Sequence, residues 1–375
     1  MTDDRLLLMM MVFCSGLAML ASWLAPQRWQ AWLIALCGML MLGVWSPWSL
    51  CFLGAGTLGS YALLRRASLQ KPRLVAAVLM VAAAYFACMV WGRHAREGIG
   101  ASIVLPLGMA FYSLRLIHCL FESYKGGLRQ FDLADYLSYH FFPAALPVGP
   151  IHRFDEFLRD LRRRRWDSAQ FSAGLERILY GVFRLVVIGN VLIDVKLKDA
   201  AQPLMQTPGL TGYYVTALLF WLKLYIVFSG FSEVAIGFGK LMGFQLRENF
   251  NWPFAARNIS EFWQRWHMSL SSWCRDYVFT PVLAGTRQPW VAVLSSMVVL
   301  GLWHELSLRY LLWGVYHGVG IAVQRWFSSY AGPRTQHWSG FAGLSLRVAA
   351  TLLTLHFVLF SFQITHAIER FLTGG

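Results

Sequence analysis

Two histidines sit where an ionisable side chain is costly. His267 lies in WQRWHMSLSSW, and His304 follows the apolar run VAVLSSMVVLGLW, which carries no charge. Ionisable groups at membrane depth cost on the order of 3 kcal/mol or more and are seldom kept without a task. Burial without a charged partner favours the neutral imidazole, which can take a proton from a hydroxyl as a general base must. HELSL is not the zinc motif HExxH, because position 308 is leucine. On one unbroken helix His317 would lie about 20 Å further along the axis and on another face, which argues against a shared metal. No GxSxG elbow, P-loop or dinucleotide signature stands out, which disfavours hydrolase, NTPase and redox chemistry. What remains is direct attack of an alcohol on an activated acyl group, with histidine removing the hydroxyl proton.

The element carrying His267 reads as a single half-buried helix. Asn258 followed by Glu261 resembles a capping box. From there Trp263, Trp266, Leu270, Trp273 and Tyr277 recur at three- and four-residue steps and form one apolar stripe. His267 borders that stripe, while Arg265, Ser269, Ser272, Arg275 and Asp276 occupy the other sides. Standing alone, such a tryptophan-rich helix would mark a membrane interface and no more.

His304 closes one of many apolar spans, predicted near 6–24, 31–46, 48–64, 74–92, 99–121, 134–150, 172–194, 209–229, 230–244, 288–305, 308–328 and 343–364. Hydrophobic residues make up 57% of the chain and charged ones 14%, with a mean hydropathy of +0.48. That balance excludes an ordinary soluble domain. The apolar runs are continuous rather than alternating, so helices are expected and not a barrel. In FFPAALPVGPIHRF, Pro143, Pro147 and Pro150 interrupt a hydrophobic segment. Irregular backbone survives at that depth only inside protein or beside a water-filled cavity; the other reading of the segment is an ordinary proline-rich end of a span.

The net charge of +14 gathers in short loops, at Arg65, Arg66, Lys71 and Arg73 and at Arg159, Arg162, Arg163, Arg164 and Arg165. These are expected to face the cytoplasm, chiefly against anionic lipid. No basic stretch interleaves with stacking aromatics, so no nucleic-acid partner is expected. The six cysteines stand singly, without metal spacing, and read as core residues. The first apolar run has an acidic as well as basic start and is expected to be a retained span.

The block NFNWPFAARNISEFWQRWHMSLSSWCRDYVFTPV, followed by GLWHELSLRYLLWGVYHG, resembles the core of the membrane-bound O-acyltransferase family. LPLGMAFYSLRLIHCLFESYKG and FFPAALPVGPIHRF are similar to its bacterial branch, which modifies alginate and teichoic acids. The resemblance covers roughly residues 100–330 of one integral-membrane domain, 1–375. It implies an all-α polytopic fold, a ring of about 10–12 transmembrane or re-entrant helices around a central tunnel. It implies His304 as catalytic base and His267 as second signature residue at a constriction. Trp263, Arg265, Trp266, Ser269, Asp276 and Trp303 would line or brace that point, with Arg153, Asn249 and Asn251 as further candidates. Aromatic walls would exclude water and limit donor hydrolysis.

The implied reaction carries an acyl group, acetyl or D-alanyl foremost, from a cytoplasmic thioester, acyl-CoA or acyl carrier protein, to a hydroxyl of an extracytoplasmic acceptor in envelope polysaccharide or teichoic acid. No bound cofactor or metal is expected. The predicted setting is the inner membrane, in contact with the lipid bilayer, with an acyl carrier protein and an acceptor or acyl-relay protein as partners. Arg162, Arg163, Arg164 and Arg165 would guide the anionic donor. The enzyme class is that of acyltransferases moving groups other than amino-acyl or D-alanyl ones, although the motif itself does not separate acetyl, D-alanyl and longer chains. Glu305 stands where a small residue such as glycine is expected, and the chain is short beside alginate-type members, which predicts fewer carboxyl-terminal helices. The rival readings are a multi-pass transporter, disfavoured by the lack of a clear internal repeat, and a non-catalytic scaffold of an envelope-polymer complex.

Overall fold

The computed structural model describes residues 2–66, 70–98, 108–128, 130–335 and 340–373. Among them the chain is predominantly helical and forms no strand; one isolated antiparallel bridge joins Phe250 and Trp266. Five described segments are long and apolar enough to cross a bilayer: Leu6–Leu24, Gln27–Trp45, Lys71–Trp91, Ser168–Met205 and Leu210–Leu241. Gly343–Leu359 and Ser361–Thr373, bent by 42°, add a sixth if they act as one span. The remaining predicted spans count helices that fall short of that length or hydropathy, and 99–107 of the span at 99–121 lies outside the described residues. Gly54, Gly56 and Gly59 in GAGTLG do have GxGxxG spacing, but they lie inside the helix Pro47–Arg66 with no strand before them, so the dinucleotide reading has no support.

The chain divides into two compact units, Met1–Leu185 with Phe228–Arg247, and Val186–Val227 with Glu248–Gly375. In the first unit the predicted span 134–150 is instead a short helix, Leu133–His140, followed by a 3₁₀ turn at Pro143–Ala145 and irregular chain to Arg153. Asp132 and Asp135 form a reciprocal capping box at the helix start. The prolines end the helix, and the irregular stretch is buried almost throughout, as backbone without helical bonds requires. Two of its backbone groups find side-chain or ring partners: Tyr139 Oη donates to the His152 carbonyl at 2.9 Å, and the Phe154 N–H donates to His118 Nε2 at 2.9 Å.

The spans predicted near 209–229 and 230–244 are one helix, Leu210–Leu241. Gly230 does not end it; a Cβ there would meet the Leu185 side chain at 2.8 Å, so the glycine permits a close helix contact.

In the second unit a helical hairpin supplies the frame. We label its arms α1 (Pro289–His304) and α2 (Leu308–Thr335). A Cβ on Gly301 would collide with the Tyr310 carbonyl, and one on Gly314 would meet the Met297 carbonyl at 2.5 Å. The arms therefore approach backbone to backbone and run antiparallel. The turn is compact: the Glu305 N–H donates to Gly301 O at 3.2 Å, and Ser307 Oγ accepts from the Tyr310 N–H at 3.3 Å, capping the second arm.

Candidate active site

The helix expected through His267 is broken at that residue. Ile259–Arg265 forms one short helix and Met268–Cys274 another, with π-helical chain following at Arg275–Phe279. Trp266 is extended, and His267 adopts φ 43° and ψ 54°, in the left-handed region that a residue with a Cβ enters at a cost of about 1 kcal/mol. The stripe still predicts burial correctly, since Trp263, Trp266, Leu270, Trp273 and Tyr277 are all buried. Periodicity reports which side chains are inside; it does not report a single residue of reversed φ between two turns.

Long-range hydrogen bonds hold the break. The Asn251 N–H donates to Arg265 O at 3.0 Å, and the Met268 N–H donates to Asn249 O at 2.9 Å. Ser269 Oγ donates to Asn249 Oδ1 at 2.6 Å. Asn249 thus holds the two residues that follow His267 through its backbone and its side chain. Arg265 adds a bond to Asn251 O at 3.2 Å and an ion pair with Glu261 at 2.7 Å. Half of the predicted capping box forms: Asn258 Oδ1 accepts from the Glu261 N–H at 2.8 Å, while the Glu261 carboxylate accepts from the Arg257 N–H at 3.0 Å. Trp266 stacks on Phe262 with ring centres 5.6 Å apart and meets Trp221 edge-on at 5.4 Å.

His304 is the last residue of α1, and Glu305 after it is extended at φ −161° and ψ 134°. That conformation suits any residue, so the backbone places no demand for glycine at 305. The hairpin folds α2 back against the histidine. His304 lies with its ring centre 4.8 Å from Trp303, 5.9 Å from Tyr310 and 5.8 Å from Trp313. His267 packs on the same Trp303 indole at 6.2 Å, so the two imidazoles share one aromatic wall. They differ in surface exposure, His304 being exposed and His267 only 3% exposed, although burial also pushes His304 down to about 4. Burial, and then the neighbouring His304, push His267 well below the usual histidine range.

His317 does not share one unbroken helix with His304, because the chain turns at residues 305–307. Trp313 touches both, with His317 4.6 Å from its ring centre. Trp263 closes the group, 5.7 Å from Trp313 and 5.4 Å from His317. Among the described residues no set of three or more His, Cys, Asp or Glu is arranged to hold a metal. Tyr310, Trp313 and Trp221 are the site residues that the sequence reading missed. RYLLWGVYHG held a signal for the first two, in its aromatic residues after the turn; Trp221 comes from a distant helix and had none.

The other candidates separate. Asp276 pairs with Arg275 at 3.0 Å in the π-helical segment. Arg153 is buried in the first unit, at the start of the helix Phe154–Arg163. Arg162 pairs with Asp135 at 2.8 Å. Arg164 donates to Ser22 O and Met242 O at 3.0 Å and to Gln30 Oε1 at 2.6 Å, stacks over Trp23 at 4.8 Å, and is pushed down to about 10 by burial. Arg163 and Arg165 are exposed.

Several bilayer-length helices and a pair of imidazoles on a shared indole define a multi-pass membrane protein with an internal histidine site. The chain belongs to the membrane-bound O-acyltransferase family, whose pattern (MBOAT, membrane-bound O-acyltransferase family) it matches over residues 41–363. It is 32% identical over 291 residues to the "Probable alginate O-acetylase AlgI" of Pseudomonas aeruginosa, covering 72% of this chain and 55% of that protein. It is 28% identical over 287 residues to the teichoic acid D-alanyltransferase of Bacillus subtilis, covering 70% and 69%. It is 26% identical over 302 residues to the peptidoglycan O-acetyltransferase of Helicobacter pylori, covering 72% and 55%. The chain spans 55–59% of the length of the first two alginate O-acetylases it matches.

Proposed function

We propose that this protein is an O-acyltransferase of the bacterial inner membrane that moves an acyl group from a cytoplasmic thioester to a hydroxyl of an extracytoplasmic envelope polymer. The observation that carries this reading is the convergence of His267 and His304 on Trp303, inside an aromatic cage, in a chain of this family. His304, the accessible imidazole, accepts the acceptor's hydroxyl proton as the oxygen attacks the thioester carbonyl. The carbon–oxygen bond forms, the carbon–sulfur bond breaks, and the departing thiolate takes up the proton. Trp303, Tyr310 and Trp313 shield the carbonyl from water and so limit hydrolysis. His267, neutral and held by its backbone, orients the reacting groups beside the base.

The donor is acyl-CoA or an acyl carrier protein thioester, approached through a tunnel in a ring of helices, and no bound cofactor or metal takes part. The exposed Arg163 and Arg165 remain available to draw in an anionic donor, whereas Arg162 and Arg164 are tied to the fold. Similarity to alginate and peptidoglycan acetylases favours acetyl as the group moved. Similarity to a D-alanyltransferase counts against setting D-alanyl aside. Mass spectrometry of isolated envelope polymers from cells carrying wild type or His304→Ala at equal membrane abundance tests the reading. Loss of one acyl mass in the variant supports it and names the group; unchanged acylation removes His304 as the base.

A further inference from the structure

The second unit holds a cavity of about 450 Å³ that shares Trp263 with the histidine site. Its walls are apolar, with Phe279, Val293, Met297, Leu300 and Ile321 among them, while Arg275 and Arg325 stand at it as the charged groups. The hydroxyls that line it have already given their protons to the protein: Ser260 to Gln324 at 2.6 Å, Ser272 to Ser269 O at 2.9 Å and Ser296 to Ala292 O at 2.8 Å. The guanidinium groups are the charged donors at the cavity, beside the Trp263 indole N–H, which has no hydrogen-bond partner among the described residues, and the Gln264 amide. Arg275 pairs with Asp276 at 3.0 Å, and Arg325 forms no ion pair or side-chain hydrogen bond among the described residues. The balance of these three charges is one positive.

The position of this cavity along the hairpin identifies its level. Because the arms run antiparallel, the start of α1 and the later half of α2 lie at one end of the hairpin. There Trp290, Trp326 and Tyr330 are 58%, 69% and 62% exposed. Large amphipathic aromatics exposed on membrane helices sit at the level of lipid headgroups, and an arginine among them places its charge at the same level. An apolar recess flanked by arginines at that depth fits a molecule with an anionic head and a hydrocarbon tail.

We propose that this cavity binds an anionic glycerophospholipid, with the phosphate held by Arg275 and Arg325 and one acyl tail lying against Val293, Met297, Leu300 and Ile321. The site lies next to the histidines. Trp263 lines the cavity and also meets Trp313 and His317 edge-on, at 5.7 and 5.4 Å. Met268, which also lines it, follows His267 directly. A bound tail supports the wall of the aromatic cage from behind. The proposal stands whether or not the acyl-transfer reading does.

Native mass spectrometry of the full chain in detergent, with phosphatidylglycerol or phosphatidylcholine added, tests it. Wild type is expected to retain phosphatidylglycerol in preference to phosphatidylcholine. The double variant Arg275→Gln with Arg325→Gln is expected to lose about 25-fold in apparent affinity for phosphatidylglycerol, from about 1 kcal/mol for each basic residue. Arg28→Gln, an exposed arginine of the other unit outside the basic loops, is expected to match wild type. Ser296→Phe narrows the cavity without changing charge and is expected to reduce retention as well. Equal retention of the two lipids by wild type, or wild-type retention by the double variant or by Ser296→Phe, overturns the proposal.

Discussion

The two histidines reach the same indole by opposite structural routes. His304 is carried on a regular element, at the last turn of a helix that needs only a close glycine contact to be placed. His267 sits at a break between two short helices, in left-handed backbone, and its position depends on Asn249, some 18 residues earlier, through bonds of 2.9 and 2.6 Å to the residues that follow it. The helix end leaves His304 exposed at one side while Trp303, Tyr310 and Trp313 pack on its ring, and the break buries His267. A group that must meet a substrate and exchange a proton suits the first arrangement. A group that must be held in one orientation suits the second, where local strain is retained because the surroundings over-determine it.

The sharpest way to break that division is to remove each imidazole and compare activity with stability. His304→Ala is expected to lower acyl transfer by about 10²–10⁴-fold, the range of general-base contributions, with the melting temperature of the purified protein nearly unchanged. A large fall in melting temperature would show that His304 is a packing residue instead. Next in size is the frame of His304. Gly301→Ala forces a Cβ onto the Tyr310 carbonyl and is expected to cost about 2 kcal/mol in denaturant unfolding, lowering activity through displaced His304. If activity and stability both stay at the wild-type level, the hairpin contact does not set the position of the base.

The brace of His267 comes third. Asn249→Ala removes the acceptor of Ser269 Oγ and leaves a buried hydroxyl without its partner, at an expected cost of about 1–2 kcal/mol. Asn249→Asp keeps an acceptor and should recover most of that stability, which simple loss of volume would not explain. The smallest effect is the most diagnostic of the backbone. His267→Gly should be more stable than His267→Ala by about 1 kcal/mol, because only glycine enters left-handed φ freely. On a continuous helix the order would be reversed, so an alanine variant at least as stable as the glycine one would refute the break. Both variants should be impaired in acyl transfer, since neither carries the imidazole.

Much of this was legible in the chain as a string of residues. Continuous apolar runs predicted a helical membrane protein, and the match over residues 41–363 agrees with the family that the RWHMSLS and GLWH segments suggested. The three prolines left open whether residues 143–150 end an ordinary span or form buried irregular backbone, and the chain forms the latter. Where the reading failed, a contact distant in sequence overrode a local pattern. The stripe from Trp263 to Tyr277 is compatible with one helix, and only the pairing of 249–251 with 265–268 breaks it. Arg162 and Arg164 look like members of one charged loop, yet Asp135, Ser22, Gln30 and Met242 engage them.

The sequence by itself determined the burial of the stripe, the helical membrane class and the family, because hydropathy, periodicity and motif are properties of neighbouring residues. Tertiary structure alone decided that Trp303 is shared by both imidazoles, that Tyr310 and Trp313 return to enclose His304, and that His267 has reversed φ. Each of these depends on a chain reversal or a hydrogen bond between distant segments. Such contacts are set by the packing of whole elements, and no local pattern records them.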